Sequence, residues 1–196
     1  MGFAVIARSP FLTGLVLLAL APTILVMPYL NMMPVFARDI LEVGSDGLGL
    51  LLAATGTGTV VGALLVARSG ALQESASAQF IMVMLFTTFV ILFAIIEHFA
   101  LAMTLLFLAG MMSAAWLALN QTAVQLSVDD EVRGRVLSVY MMTWGVLPVG
   151  QLFVGMLAGA TGPGPAVVVS CLMSAVCVVL IRFRFAGAGT AATGTP

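Results

Sequence analysis

Residues 48–67 read "LGLLLAATGTGTVVGALLVA", and the reading of the glycines in this stretch decides the fold. Gly56, Gly58 and Gly62 spell G-x-G-x-x-x-G, close to the glycine fingerprint that cradles a dinucleotide pyrophosphate. That fingerprint needs a strand before it, a helix after it and an acidic residue about 20 positions on. Here the glycines lie inside one unbroken apolar run of the roughly 20 residues that cross a bilayer. A pyrophosphate at that depth is untenable. Gly58 and Gly62 instead form G-x-x-x-G, which clears one helix face so that another backbone can approach closely. Ala54 extends that face one turn earlier. The stretch reads as a membrane-spanning packing helix, and no cofactor is expected.

The rest of the chain agrees with a membrane reading. Of 196 residues, 62% are hydrophobic and 8% charged, and the mean hydropathy is +1.20. A soluble domain carries about 25% charged residues. Charges and turn formers divide the chain into six spans at about 10–37, 48–67, 78–96, 99–127, 136–160 and 164–181. The expected fold is an all-α polytopic bundle over 1–185, followed by a small-residue cytoplasmic tail at 186–196 that reads as disordered. Pro22, Pro28 and Pro34 predict bends in the first span. That span resembles a signal peptide up to "ALA" at 19–21, but Pro22 spoils the cleavage site and the apolar run continues, so it reads as retained.

All seven cations are arginine, and none forms a basic patch interleaved with aromatics, so nucleic acid is not an expected partner. With six spans, Arg8, Arg68, Arg133, Arg135, Arg182 and Arg184 share the side of the termini, against Arg38 opposite. The positive-inside rule then places both termini in the cytoplasm. Cys171 and Cys177, six residues apart, point about 240° apart on a helix and cannot bridge. They read as small packing residues, and no metal site is expected.

Two spans show sidedness. In the fifth, Tyr140, Trp144, Pro148, Gln151, Gly155 and Gly159 fall within about 100° of arc, with Met142, Val146, Val149, Phe153 and Leu157 opposite. The apolar set is expected to face lipid, with Gly155 and Gly159 repeating the packing device of the second span. Spans two and five are the middle members of two triplets, which points to a three-plus-three inverted repeat. In the fourth span, Gly110, Ser113, Trp116, Asn120, Gln121, Gln125 and Ser127 fill one side, while Leu108, Ala115, Leu119, Thr122 and Leu126 face away. Unpaired amides in hydrocarbon cost free energy. Asn31, Trp116, Asn120, Gln121, Tyr140, Trp144 and Gln151 are therefore candidates to line a substrate cavity. The competing reading is ordinary interhelical hydrogen bonding, worth about 0.6 kcal/mol per bond.

The segment "DDEVRGRVLSVYMMTWGVLPVGQLFVGMLAG" at 129–159 resembles the major facilitator superfamily, nearest the bacterial enterobactin and macrolide exporters. In that branch an acidic cluster, R-G-R-V and then G-x-x-P-x-G surround the start of the eleventh helix. "MPYLNMMPVFARDIL" at 27–41 and "GLGLLLAATGTGTVVGALL" at 47–65 look like its seventh and eighth helices. The cytoplasmic-loop motif G-x-x-x-D-R-x-G-R is only echoed by "GALLVARSG" at 62–70, where Val66 replaces the Asp and Gly70 is displaced by one. The resemblance implies the carboxy-terminal six-helix half of a twelve-helix transporter in the bacterial inner membrane. It implies export of a small amphipathic molecule, such as a drug or siderophore, by alternating access in exchange for protons. The expected partners are the bilayer, that substrate, and an amino-terminal half or a second copy of this chain.

Arg133 and Arg135, behind Asp129, Asp130 and Glu131, are candidates for a cytoplasmic gate; alternatively they fix topology while the acids favour the helix dipole. Glu97 and His98 read as a polar turn rather than a proton sensor. No Asp, Glu, Arg or His lies in the middle of any span, so a coupling proton would need a carrier in the missing half. No catalytic residue is expected: Ser113 as a nucleophile would need a base, and the one His is at a loop edge. The alternative function is a truncated membrane interaction module that does not transport.

Overall fold

Proline, glycine and threonine chemistry shapes each helix in the computed structural model, which describes residues 9–69, 76–128 and 130–185. Arg8, Gly70, Asp129 and the tail at 186–196 lie outside the described residues. Among those described, every regular element is helical, and six segments are long and apolar enough to cross a membrane.

The first span is α1 (Pro10–Leu25) followed by α2 (Tyr29–Val35) and one π-helical stretch, Phe36–Ile40. Ser9 caps α1 by accepting from Leu12 N, and Pro10 takes a position where its missing N–H costs nothing. Pro28 has no N–H to give the Ile24 carbonyl, so the span breaks between the two helices and its backbone bonds shift, with Met27 N reaching Pro22 O. The second span is α3 (Gly44–Arg68), entered through Glu42 and Gly44, both at positive φ. Its threonines are not free polar groups: Thr55, Thr57 and Thr59 each donate to the carbonyl four residues earlier, at 2.7–3.0 Å. That is how "ATGTGT" survives in hydrocarbon.

The third and fourth spans are α4 (Ala76–Ile95) and α5 (Phe99–Leu126). The fifth is α6 (Asp130–Met141), a 3-10 stretch Met142–Val146, and α7 (Leu147–Thr161). Pro148 cannot donate to the Trp144 carbonyl, and Leu147 N bonds it instead, which tightens the helix there. Gly162, at φ 90°, ends α7, and Pro163 begins α8 (Pro163–Phe185). Helix thus begins at Asp130 and includes Arg133 and Arg135, which the sequence reading placed in a loop. Asp130 and Glu131 in the first turn complement its positive end.

The packing order reflects two interleaved triplets. α5 is central, with its largest interface against α3 and its next against α4. α8 packs on α4 and α1, and α7 packs on α8 and α1. Exchanging the two triplets maps α3–α5 onto α7–α1, α4–α5 onto α8–α1, and α4–α8 onto itself. An aromatic ladder runs through the core, from Phe36 to Phe93, Tyr29, Phe86 and Trp116, with ring centroids 4.8–6.5 Å apart.

The glycine seams account for the closest approaches. A Cβ added to Gly58 or Gly62 would overlap the backbone at Phe107 or Met111 of α5, and one added to Gly110 of α5 would overlap Thr55 of α3. In the fifth span the structure departs from expectation. A Cβ at Gly155 or Gly159 would meet nothing within 4 Å. The glycine in contact is Gly150, pressed against the Ile24 backbone. Ile24 owns the carbonyl that Pro28 leaves without its helical donor, so the tight approach falls where α1 presents a bare acceptor.

Candidate functional site

Seven polar or aromatic residues were expected to share a cavity wall, and the structure divides them by burial. Trp116, Asn120 and Tyr140 are sealed inside, at 0%, 0% and 2% exposure. Trp116 stacks on Phe86, and both Trp116 and Tyr140 sit in a core cluster with Leu12, Leu15 and Ala19 of α1. Asn120 donates through Nδ2 to the Leu15 carbonyl at 3.2 Å, binding α5 to α1. Its Oδ1 and the Trp116 indole N–H are buried without a protein partner. Asn31, on α2, and Trp144, in the 3-10 stretch, are exposed; Gln121 of α5 and Gln151 of α7 are half-buried.

The faces differ from the wheel in two places. On α5, Ala115 and Leu119, expected to face lipid, are buried. α5 is wrapped by α3, α4 and α1, and Gln79 of α4 reaches the Leu119 carbonyl at 3.4 Å. On the fifth span the packed edge lies beside the polar arc and shares Tyr140 with it. Val136, Tyr140, Thr143, Gly150 and Val154 form the buried edge, while Met142 and Val149 on the apolar side and Trp144 and Pro148 on the polar side are exposed. This is the least buried of the six spans, and α3 is the next. The two middle helices of the triplets therefore carry the most uncovered surface, including Leu50, Val60 and Leu64 on α3 and Leu152 and Met156 on α7.

The gate candidates behave differently from one another. Arg133 folds back on its own corner: its Nε donates to the Gln125 carbonyl at 3.2 Å, and its guanidinium pairs with Asp130. It braces the turn between α5 and α6. Arg135 is exposed on α6. At the opposite end, Glu97 and His98 lie exposed in the turn before α5. Sequence reasoning missed Tyr29, which is 2% exposed and packs edge-on against Phe86 and Phe93, joining α2 to α4 in the aromatic ladder. The signal available was its position directly after Pro28, where the helix restarts.

The family profile described as transmembrane secretion effector, of the major-facilitator type, matches residues 2–193. The chain belongs to that family. It is a multi-pass membrane protein of a transporter family, and membrane transport is the general activity that membership assigns. No curated protein and no solved structure matches the chain. Among the described residues, no group of three His, Cys, Asp or Glu side chains is placed to hold a metal ion.

Proposed function

We propose that this chain is one half of an efflux transporter for a small amphipathic molecule, such as a drug or siderophore. It works by alternating access in the bacterial inner membrane, with both termini in the cytoplasm. The observation that carries this reading is the set of polar side chains left uncovered on membrane-length helices: Asn31 and Trp144 exposed, Gln121 and Gln151 half-exposed. An amide facing lipid has no hydrogen-bond partner and costs roughly 1–3 kcal/mol. These side chains need water or another protein against them, and a central cavity between two halves would supply both.

The uncovered sides of α3 and α7 fit the same partner, an amino-terminal half or a second copy of the chain. The ionisable groups of the described spans lie near their ends, such as Arg38 and Asp39 at one end and Asp130 and Glu131 at the other. Proton coupling accordingly falls to the partner half, and Arg135 contributes to closing the cytoplasmic side. A second reading, a membrane interaction module without transport, is favoured by one observation: Trp116, Asn120 and Tyr140 are closed to solvent.

Single cysteines at Trp144 and Gln151, with Cys171 and Cys177 replaced, separate the two. The transporter reading expects labelling of both by a membrane-impermeant maleimide, and lower labelling when a transported amphipathic dye is present. Uniform inaccessibility at both positions would sink it in favour of the interaction module.

A further inference from the structure

Arg182 occupies an unusual position for a topology-setting charge. It lies in the last turn of α8, yet its guanidinium is held by two groups of a neighbouring helix. Nη2 donates to the Ser77 hydroxyl of α4 at 3.2 Å, and the guanidinium carbon lies 5.4 Å from the centre of the Phe80 ring. Neither contact neutralises it. The ion pairs among the described residues are Arg38–Asp39 and Arg133–Asp130, so Arg182 has no carboxylate there. The C-terminal end of a helix presents about half a negative charge. Arg184 shares that end, so the two cations exceed what the helix can offset. A guanidinium carries five N–H donors in a planar fork suited to phosphate, and Ser77 accepts from one nitrogen.

The surroundings are hydrocarbon-compatible. Ile81 and Leu85, one and two turns deeper on α4 than Ser77, are 50% and 38% exposed. Arg68, Arg133 and Arg135 lie at the helix ends on the same side of the bundle. A fixed guanidinium with no carboxylate partner among the described residues, at the rim of an apolar seam, has the chemistry of a phospholipid headgroup site.

We propose that the α4–α8 seam binds the phosphodiester of an anionic phospholipid in the arginine-rich leaflet. Arg182 is its ligand, Ser77 and Phe80 orient that ligand, and an acyl chain lies along Ile81 and Leu85. Arg184, about 200° around α8 from Arg182, adds attraction but not the fork. The exposed apolar rim selects a lipid over free phosphate. The site requires only that the bundle sit in a bilayer and does not depend on transport.

The test is native mass spectrometry of the delipidated full chain titrated with phosphatidylglycerol or phosphatidylcholine. Wild type is expected to retain phosphatidylglycerol at about five- to tenfold lower concentration than phosphatidylcholine. Arg182→Gln should lose about fivefold of that preference, Arg184→Gln distinctly less, and Arg68→Gln none. Ser77→Ala, at an exposed position, should weaken the preference without disturbing the core, and it carries the test if Arg182→Gln does not fold. Wild-type preference in both Arg182→Gln and Ser77→Ala would overturn the site. Equal losses in Arg68→Gln would reduce it to diffuse charge attraction, and displacement by millimolar inorganic phosphate would make it an anion pocket instead.

Discussion

Replacing Gly58 and Gly62 by alanine tests the packing argument most directly, because other glycines provide a matched control. A Cβ at Gly62 would lie 2.8 Å from Met111 C and 2.9 Å from its Cα; at Gly58 it would lie 2.8 Å from Phe107 C and 3.1 Å from Met111 N. Ordinary carbon contacts are about 3.5–4.0 Å. The obstructing atoms are backbone, so no side chain can rotate away, and α3 must withdraw from α5 by about 1 Å. Such a gap forfeits a quarter to a half of each dispersion contact along the seam. Each substitution should cost about 1–3 kcal/mol. The pair should cost less than the sum, since one displacement of α3 relieves both clashes. Gly56→Ala, Gly155→Ala and Gly159→Ala put the same methyl where nothing lies within 4 Å, and should stay within about 0.5 kcal/mol of wild type. Alanine's advantage in helix propensity is common to both sets, so their difference isolates packing. The assay is unfolding in mixed micelles titrated with sodium dodecyl sulfate, followed by the fluorescence of Trp116 and Trp144. A loss of about 2 kcal/mol changes the folded-to-unfolded ratio about thirtyfold. Equal behaviour of Gly56→Ala and Gly62→Ala would refute the reasoning.

Three further outcomes are expected. In the labelling experiment, cysteines replacing Trp116 and Asn120 should stay unmodified while those at Trp144 and Gln151 react; modification at 120 without denaturant would contradict the burial of α5. Asn120→Leu should lower stability by only about 0.6 kcal/mol, since it removes the bond to Leu15 together with an unpaired oxygen. Asn120→Asp, if ionised, should cost at least about 2.5 kcal/mol, and equal unfolding midpoints for the two variants would count against a dry core. Arg133→Gln removes an exposed pair and one bond to the Gln125 carbonyl, so its stability should fall by less than about 1 kcal/mol. A larger loss in the same unfolding assay would mean that the α5–α6 corner contributes more than its contacts indicate.

The membrane fold was legible because its signals are local. Glycines four apart, runs of spanning length and arginines at the ends are each read from a few neighbouring residues. The errors began where a residue's environment depends on a distant helix. Ala115 and Leu119 lie opposite the polar arc of α5 and were expected to face lipid, which holds for a helix at the edge of a bundle. α5 has neighbours on several sides, so the middle of its apolar side, Ala115 and Leu119, is buried too. The number of neighbours is a property of the assembly, and no wheel carries it. Gly150 was missed for a related reason. It stands two residues after Pro148, in a stretch legible as a break, but its contact depends on Pro28 baring a carbonyl more than a hundred residues earlier.

The polar residues show what a single span can and cannot reveal about a site. Trp144 and Asn120 both interrupt apolar helices, and by composition they are equivalent. Burial separates them: Asn120 holds α1 to α5 and leaves one oxygen unpaired, while Trp144 is exposed in the 3-10 stretch before Pro148. Both arrangements carry a cost, one of an unsatisfied buried atom and the other of a polar edge at membrane depth. The α3–α5 glycine seam carries neither cost, because there two unbroken helices meet with their backbone hydrogen bonds intact. The closest packing therefore lies along α3–α5, and misfit polarity along α2, α5 and the fifth span. In the proposed transporter that division has a mechanical meaning: the seams keep the half rigid, and the ill-satisfied polar groups remain available to whatever enters between the halves.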